Sequence, residues 1–233
     1  MSDYIRRANE RGNADFGWLK SFHTFSFGRY YDSKHMGFSA LRVINDDTVL
    51  PGKGFATHGH RNMEIISYVL SGNIAHKDSE GNEKILPPGE FQLMSAGTGI
   101  EHSEYNPSSE DKLHFLQIWI EPNRVETTPD YQQKPFPDDL GFTLIASPDG
   151  ENGSLVIKQD MKLYQLIIAP GEEYLFPLVT GRRVYLHQVS GNTNINSISL
   201  AAGDGVGINS AQDVLIQNTG HQEAVKLLVF DLP

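Results

Sequence analysis

Thr57-His58-Gly59-His60 is a stretch in which potential metal ligands alternate with other residues, and Glu101-His102-Ser103-Glu104 repeats that alternation later in the chain. Successive side chains of a β-strand point to opposite faces, so alternate residues share one face. If the two strands are neighbours, four potential ligands converge on one point. They are His58, His60, His102 and Glu104. We therefore predict a metal site built on strands and held by a barrel.

The donor types indicate which metals this site would take. Imidazole and carboxylate groups together suit divalent first-row transition metals and leave positions open for water, oxygen or substrate. The sequence contains no cysteine, so any metal must be held by nitrogen and oxygen donors. We expect one divalent transition metal per chain, and this ligand set accepts iron, manganese, nickel, cobalt, copper and zinc.

Two other glutamates compete for the carboxylate position. Glu64 lies an even number of residues from His60, so on an unbroken strand it would share that face. Glu101 is adjacent to His102 and should point away from the site on a regular strand. We rank Glu104 first, Glu64 second and Glu101 third.

The remaining histidines are not assigned to the metal site. His114 lies in an apolar run and is predicted to be a hydrogen-bonded core or wall residue. His23 and His35 belong to an N-terminal segment that could fold over the barrel mouth, and we expect neither to contact the metal site. Three others fall on predicted hairpins or turns and are expected to be solvated: His76, His187 and His221.

Composition and charge exclude several functional classes. The net charge of -10 opposes an obligate nucleic-acid or anionic-membrane partner, since both require a concentrated positive surface. The N-terminus lacks the apolar core of a signal peptide, and no apolar run reaches the length of a membrane span. We expect a cytoplasmic protein and leave its oligomeric state open, since the sequence is compatible with a monomer. The sequence has no phosphate-binding loop or dinucleotide fingerprint, so no nucleotide cofactor is predicted.

Short strand-like runs separated by glycine and proline turns predict an all-β fold. One predicted strand, Phe38 to Ile44, is closed by a turn at Asn45-Asp46-Asp47. From Glu121 to Pro137 the composition shifts to polar residues and proline, which is typical of a connection between domains. We predict an N-terminal metal-binding domain over 1–122, a linker over 123–137 and a C-terminal domain over 138–233.

The two halves share a faint internal repeat. The matching segments keep their order: Pro51-Gly52 with Pro170-Gly171, Ser71-Gly72-Asn73 with Ser190-Gly191-Asn192, Gly89-Glu90 with Gly203-Asp204, and Ser95-Ala96 with Ser210-Ala211. Counting from the first pair places Pro177 opposite His58 and Val179 opposite His60. Neither can bind a metal, so the site is expected once per chain.

These residues resemble the cupin superfamily. Its first motif is matched by Gly52, His58, His60, Glu64 and Gly72, and its second by Gly99, His102 and Asn106, with Gly97 where proline is common. More narrowly, the chain resembles the pirin family and its bacterial quercetinases. The segments that carry this likeness are His23-Thr24-Phe25-Ser26-Phe27, residues 37–47 (GFSALRVINDD) and residues 94–106 (MSAGTGIEHSEYN).

The resemblance implies a bicupin, in which two β-barrels follow one another and only the N-terminal one binds metal. It implies ligands at His58, His60, His102 and Glu104, excludes Glu64, and favours Fe(II). It also implies a quercetin 2,3-dioxygenase that acts on a planar polyphenol and O2. For this reaction we expect Glu104 to be the base that takes the proton of the substrate's 3-hydroxyl. The pocket is expected to contain Phe55, Met63, Phe91, Phe115 and Trp119.

Two alternative functions are weighed against this one. The first is a non-catalytic, metal-responsive regulator that binds a protein partner. The second is an oxygenase or isomerase whose true substrate is not a flavonol.

Overall fold

A computed structural model describes residues 4–209, 213–220 and 222–233. These residues form β-strands and two short 3-10 helices, Ala8–Glu10 and Glu151–Gly153. The strands are β1 (Tyr4–Arg6), β2 (Gly12–Asp15), β3 (Leu19–His23), β4 (Leu41–Val49), β5 (Gly54–His60), β6 (Glu64–Ser71), β7 (Ile74–Asp78), β8 (Glu83–Leu86), β9 (Glu90–Ser95), β10 (Ile100–Tyr105), β11 (Leu113–Ile120), β12 (Asp130–Pro135), β13 (Gly141–Ser147), β14 (Leu155–Val156), β15 (Lys162–Ile168), β16 (Glu173–Phe176), β17 (Arg183–Ser190), β18 (Asn192–Ile195), β19 (Ile198–Ala201), β20 (Gly205–Ile208), β21 (Val214–Asn218) and β22 (Val225–Leu232). Within the described ranges, no helix is long and apolar enough to cross a membrane.

One compact unit comprises Gly12–Phe136 and Ile157–Gln159. It contains a seven-stranded sheet in the order β12-β9-β6-β11-β4-β3-β2 and a four-stranded sheet in the order β5-β10-β7-β8. From β4 to β11 the chain passes repeatedly between the two sheets, which is the connectivity of a jelly roll. Apolar side chains from both sheets form a core of Leu19, Val49, Val69, Ile74, Leu86, Leu113 and Phe115.

The other unit comprises the described residues of Met1–Arg11, Pro137–Val156 and Asp160–Pro233. Its sheets have the orders β1-β20-β17-β22-β15-β13-β14 and β16-β21-β18-β19. Strands β15 to β22 therefore repeat the arrangement of β4 to β11. This topology confirms the predicted all-β fold with two barrel domains.

Neither compact unit is a continuous segment, whereas the predicted domains are. Strand β1 pairs with β20, which attaches the N-terminus to the second unit. The Lys158 carbonyl accepts a hydrogen bond of 2.9 Å from the Asn123 amide, which attaches residues 157–159 to the first unit. Part of the predicted linker over 123–137 forms β12, because its backbone pairs with the edge strand β9.

An asparagine at the equivalent position of each unit makes the same pair of hydrogen bonds to backbone carbonyls. The Asn106 side-chain amide donates to the carbonyls of Val49 and Asp111. The Asn218 amide donates in the same way to the carbonyls of residues 168 and 223. Counting back from these asparagines places the apolar pair Val214 and Ile216 opposite His102 and Glu104, and both belong to the apolar core of the second unit. The last proposed repeat match, Ser210-Ala211, lies outside the described residues.

The turn predicted at Asn45-Asp46-Asp47 is wrong. These residues lie within β4, which pairs with β11 on one side and β3 on the other. Pairing on both sides satisfies the backbone hydrogen bonds, and the side chains find polar partners. Asp46 accepts a hydrogen bond of 2.7 Å from His114 Nε2, while the Asn45 amide oxygen lies 2.8 Å from His23 Nδ1.

Candidate metal centre

Three histidine side chains converge between two paired strands. Strands β5 and β10 are antiparallel neighbours, with His102 opposite His58 and Ile100 opposite His60. The Nε2 atom of His102 lies 3.0 Å from that of His60 and 3.1 Å from that of His58. One ligand atom from each of the three lies within 4.8 Å of the others. The three imidazoles therefore present nitrogens to a common point, which is the arrangement that a metal ion requires.

The environment keeps these imidazoles in the form that binds metals. His58 Nδ1 lies 2.8 Å from the Ala56 carbonyl oxygen, so Nδ1 donates its hydrogen and the Nε2 lone pair faces the site. Burial, reinforced by the neighbouring histidines, lowers the pKa of His60 to about 4 and that of His102 to about 3. Both rings are neutral near pH 7, as metal ligation demands. This part of the cluster fits a divalent transition metal.

Glu104 reaches the same interior from β10, two residues after His102. Strand β10 keeps its register with β7 through both residues, so His102 and Glu104 share a face. The register shift against β5 places an extra residue on β5, between Phe55 and His58, and marks a bulge there. The carboxylate is buried, and Ser67 Oγ donates to its Oε1 over 3.2 Å, while Gln117 Nε2 lies 3.5 Å from its Oε2. Glu104 belongs to an overlapping group of potential ligands with His76 and His102. Its side chain is therefore held in place beside His102 and His76, and His102 is shared with the group of three histidines.

The two rival glutamates have other surroundings. Glu64 is buried, and its Oε2 accepts hydrogen bonds from Ser95 Oγ at 2.8 Å and from the Lys158 amide at 3.2 Å. Glu101 is exposed, with its backbone amide bonded to Ser79 Oγ. Neither belongs to a group of potential metal ligands among the described residues.

The prediction that His76 and His187 are solvated is wrong, since both are about 1 % exposed. His76 Nε2 lies 3.0 Å from Asp78 Oδ2, so the imidazole is oriented by a buried carboxylate. Burial raises the pKa of Asp78, but hydrogen bonds from His76 and Asn82 outweigh this effect and hold the pKa below its ordinary value. His76 is the histidine near the site that sequence reasoning missed, because a hairpin position suggested exposure. His221 lies outside the described residues.

The other histidines divide between the barrel surface and its interior. His114 is hydrogen-bonded, as predicted, but its side chain is 40 % exposed rather than part of the core. In the loop before β4, His35 Nε2 lies 3.9 Å from Asp32 Oδ2. His23 is buried and lines the same cavity as His58 and His60, so the N-terminal segment does reach this region.

A cavity of about 930 Å³ opens beside the histidines. Trp119 packs edge-on against His60, with ring centroids 5.0 Å apart, and against Phe27 at 5.3 Å. The aromatic side chains that line the cavity are Phe16, Trp18, Phe27, Tyr30, Phe55 and Trp119. A large cavity with six aromatic side chains in its wall, next to a cluster of potential metal ligands, suits a flat organic substrate.

The predicted pocket residues are only partly correct. Phe55 and Trp119 line the cavity. Phe91 and Phe115 are fully buried in the core, where Phe91 stacks on Tyr68 with ring centroids 4.1 Å apart. Met63 lines a smaller neighbouring cavity instead.

Asp47 places a carboxyl group in the wall of the large cavity. Burial is the main reason that its pKa is raised to about 7, and the nearby carboxylates of Asp46 and Glu104 raise it further. A hydrogen bond from Ser21 acts in the opposite direction and lowers the pKa. Near neutral pH this group therefore exists in both protonated and ionised forms.

Gly54 allows β5 and β10 to approach closely beside the bulge. A Cβ atom at this position would overlap the Glu104 carbonyl oxygen. We expect Gly54→Ala to push the strands apart, lower the free energy of unfolding by about 1–3 kcal/mol and weaken metal binding. Urea denaturation and metal titration would measure both effects.

Gly59 provides a matched control on the same strand. It lies between His58 and His60, yet the nearest atoms to an added Cβ would be 3.9 Å away. Gly59→Ala should leave stability and metal affinity almost unchanged. If Gly54→Ala and Gly59→Ala lowered stability and metal affinity equally, close packing at Gly54 would not explain the loss.

Comparisons with known proteins agree with this geometry. The Pirin family model matches residues 5–120, and the model for the quercetinase C-terminal cupin domain matches residues 144–232. The chain is 50 % identical over 230 residues to the Escherichia coli (strain K12) protein named quercetin 2,3-dioxygenase, which covers 99 % of this chain and 98 % of the relative. The chain belongs to the pirin family. A pirin-like protein of Caulobacter vibrioides is 41 % identical over 222 residues, or 94 % of each chain.

A solved pirin structure shows the same fold. The crystal structure of the bacterial pirin YhhW of Escherichia coli in complex with nickel(II) superposes with a TM-score of 0.96 at 49 % identity, covering 100 % of this chain and 99 % of that one. Family membership confirms the predicted resemblance, and the fold is the bicupin that it implied.

Proposed function

We propose that this pirin is a metal-dependent dioxygenase that opens the flavonol ring of quercetin-like substrates with O2. The observation that carries the proposal is the position of His58 and His60 in the wall of the aromatic cavity. A volume of about 930 Å³ suits a planar polyphenol. The relative at 50 % identity named quercetin 2,3-dioxygenase supports this substrate class and favours an enzyme over a metal-responsive regulator.

The proposed ligands of the metal are His58, His60, His102 and Glu104. Fe(II) is the favoured ion, and this donor set would also accept manganese, nickel, cobalt, copper or zinc. When bound, the metal would supply Lewis acidity and a template for substrate and dioxygen.

The protein's own side chains would bind the substrate and move its proton. Glu104, held by Ser67 and Gln117, is the proposed acceptor for the proton of the flavonol 3-hydroxyl. Trp119 and Phe27, packed edge-to-face, would hold the planar rings and exclude water from the reacting centre. Deprotonation in a largely apolar cavity then prepares the substrate for ring opening, with release of carbon monoxide.

An aerobic assay of the purified protein would test this function. Metal content per chain would be measured on the same sample, and loss of flavonol absorbance would be followed together with carbon monoxide release. We expect turnover with carbon monoxide that ceases when a chelator removes the metal. Absence of carbon monoxide from the metal-containing protein would contradict the proposal, while very weak turnover with a high KM would favour a different substrate.

A further inference from the structure

Four buried polar side chains form a patch in the cavity wall, distinct from the proposed metal ligands. They come from two neighbouring strands, with Ser21 directly opposite Asp47 and His23 directly opposite Asn45. All four are at most 5 % exposed, and all four line the cavity. Cross-strand partners share a face of the sheet, so the patch is a continuous polar surface among aromatic walls.

Hydrogen bonds within this patch leave one atom unpaired. His23 Nδ1 lies 2.8 Å from Asn45 Oδ1 and 3.4 Å from Ser21 Oγ. The Ser21 hydroxyl also hydrogen-bonds the Asp47 carboxyl group. Asp47 Oδ1 is buried and has no hydrogen-bond partner among the described residues. Buried polar atoms are rarely left unpaired. Because Asp47 lines the cavity, a molecule that enters the cavity can supply the missing partner.

The chemistry of that partner follows from its surroundings. Six aromatic side chains and several polar groups line the cavity together, which is the pattern that recognises a flat ring carrying hydroxyl substituents. A phenolic hydroxyl can donate to the Asp47 carboxylate, and it can accept from or donate to the protonated acid. The interaction is therefore available in either protonation state.

We propose that Asp47, held by Ser21, hydrogen-bonds a phenolic hydroxyl of the substrate other than the reacting 3-hydroxyl. This inference rests on the proposed function, because it assigns a specificity-determining residue to the same cavity. A site that hydrogen-bonds a substrate hydroxyl discriminates against an analogue lacking it, since the buried polar group is then left unpaired. Asp47 would thereby select polyhydroxylated flavonols over flavonols that carry only the 3-hydroxyl.

Binding measurements on the full, metal-containing protein under anaerobic conditions would test this role. Both tryptophans of the chain, Trp18 and Trp119, line the cavity, so quenching of their fluorescence reports occupancy without turnover. The probes are quercetin and 3-hydroxyflavone, which keeps the reacting hydroxyl but lacks the others. We expect the wild type to bind quercetin about 10- to 100-fold more tightly than 3-hydroxyflavone.

The variants Asp47→Ala and Asp47→Leu should bring this affinity ratio close to unity, whereas Asp47→Asn should retain most of it because the amide still hydrogen-bonds. Asp46→Asn is the matched control, since Asp46 bonds His114 on the opposite face of β4 and should leave the ratio unchanged. Equal loss of affinity for both ligands in the folded Asp47 variants would overturn the proposal.

A wild-type protein that binds the two probes equally, or binds neither, would also overturn the inference, even if the variants failed to fold. The binding measurement does not depend on turnover. A protein that prefers quercetin through Asp47 but does not turn it over would support the role of Asp47 in binding and contradict only the proposed reaction.

Discussion

Replacing His102 with alanine should release the metal and abolish flavonol turnover. His102 Nε2 lies within about 3 Å of the Nε2 atoms of both His58 and His60, and the same residue belongs to both groups of potential ligands. Loss of a partner that merely orients a ligand lowers metal affinity by about 10- to 100-fold, so loss of this central ligand should cost at least about 100-fold. Elemental analysis after gel filtration and the flavonol assay would measure the two losses.

His114→Ala is the matched control for this experiment. His114 also lies on a strand of the same unit, but it bonds Asp46 on a partly exposed face. Its removal should preserve metal content and turnover. A His102→Ala protein that kept both would show that the cluster does not bind the functional metal.

The shared face of His58 and His60 could be predicted because it depends on strand alternation alone. His58 and His60 are two residues apart, and they share a face on any regular strand. Convergence with His102 also requires β5 and β10 to be neighbours, which the sequence does not show and the structure confirms. The sequence also contains no signal for the bulge in β5 between Phe55 and His58, since bulges depend on how two strands meet.

The internal repeat could be predicted because turns require particular residues. The glycines of the Pro51-Gly52 and Pro170-Gly171 turns adopt φ values of 65° and 74°, a backbone region that favours glycine. A turn that needs this backbone conformation keeps its glycine even in a barrel that has no metal-ligand residues. Two strand arrangements that match over eight strands account for the faint sequence repeat.

The polar wall of the cavity could not be predicted from local composition. Three consecutive residues, Asn45, Asp46 and Asp47, have the composition of a turn, but strand pairing on both sides holds them extended. Similarly, an apolar run does not indicate which face is turned to the core and which to a cavity. The sequence therefore predicts Phe115 in the pocket, whereas the structure places it in the core.

Replacing Glu104 with glutamine should lower kcat by about 10²- to 10⁴-fold, the usual contribution of a positioned general base. Glutamine has almost the same shape and keeps an oxygen that can accept from Ser67, so the folded barrel and most of the bound metal should be retained. The amide cannot accept the proton of the flavonol 3-hydroxyl. Turnover at saturating substrate and metal content per chain would separate the two effects.

Glu101→Gln is the matched control for the charge change, because Glu101 lies on the same strand but is exposed. It should leave kcat unchanged. Ser67→Ala removes the hydroxyl that donates to Glu104 Oε1 and should lower kcat less than Glu104→Gln does, since the carboxylate keeps its basicity and loses only part of its positioning. Unchanged kcat in a metal-containing Glu104→Gln protein would assign the proton transfer to another group, whereas loss of kcat in proportion to loss of metal would make Glu104 a ligand alone.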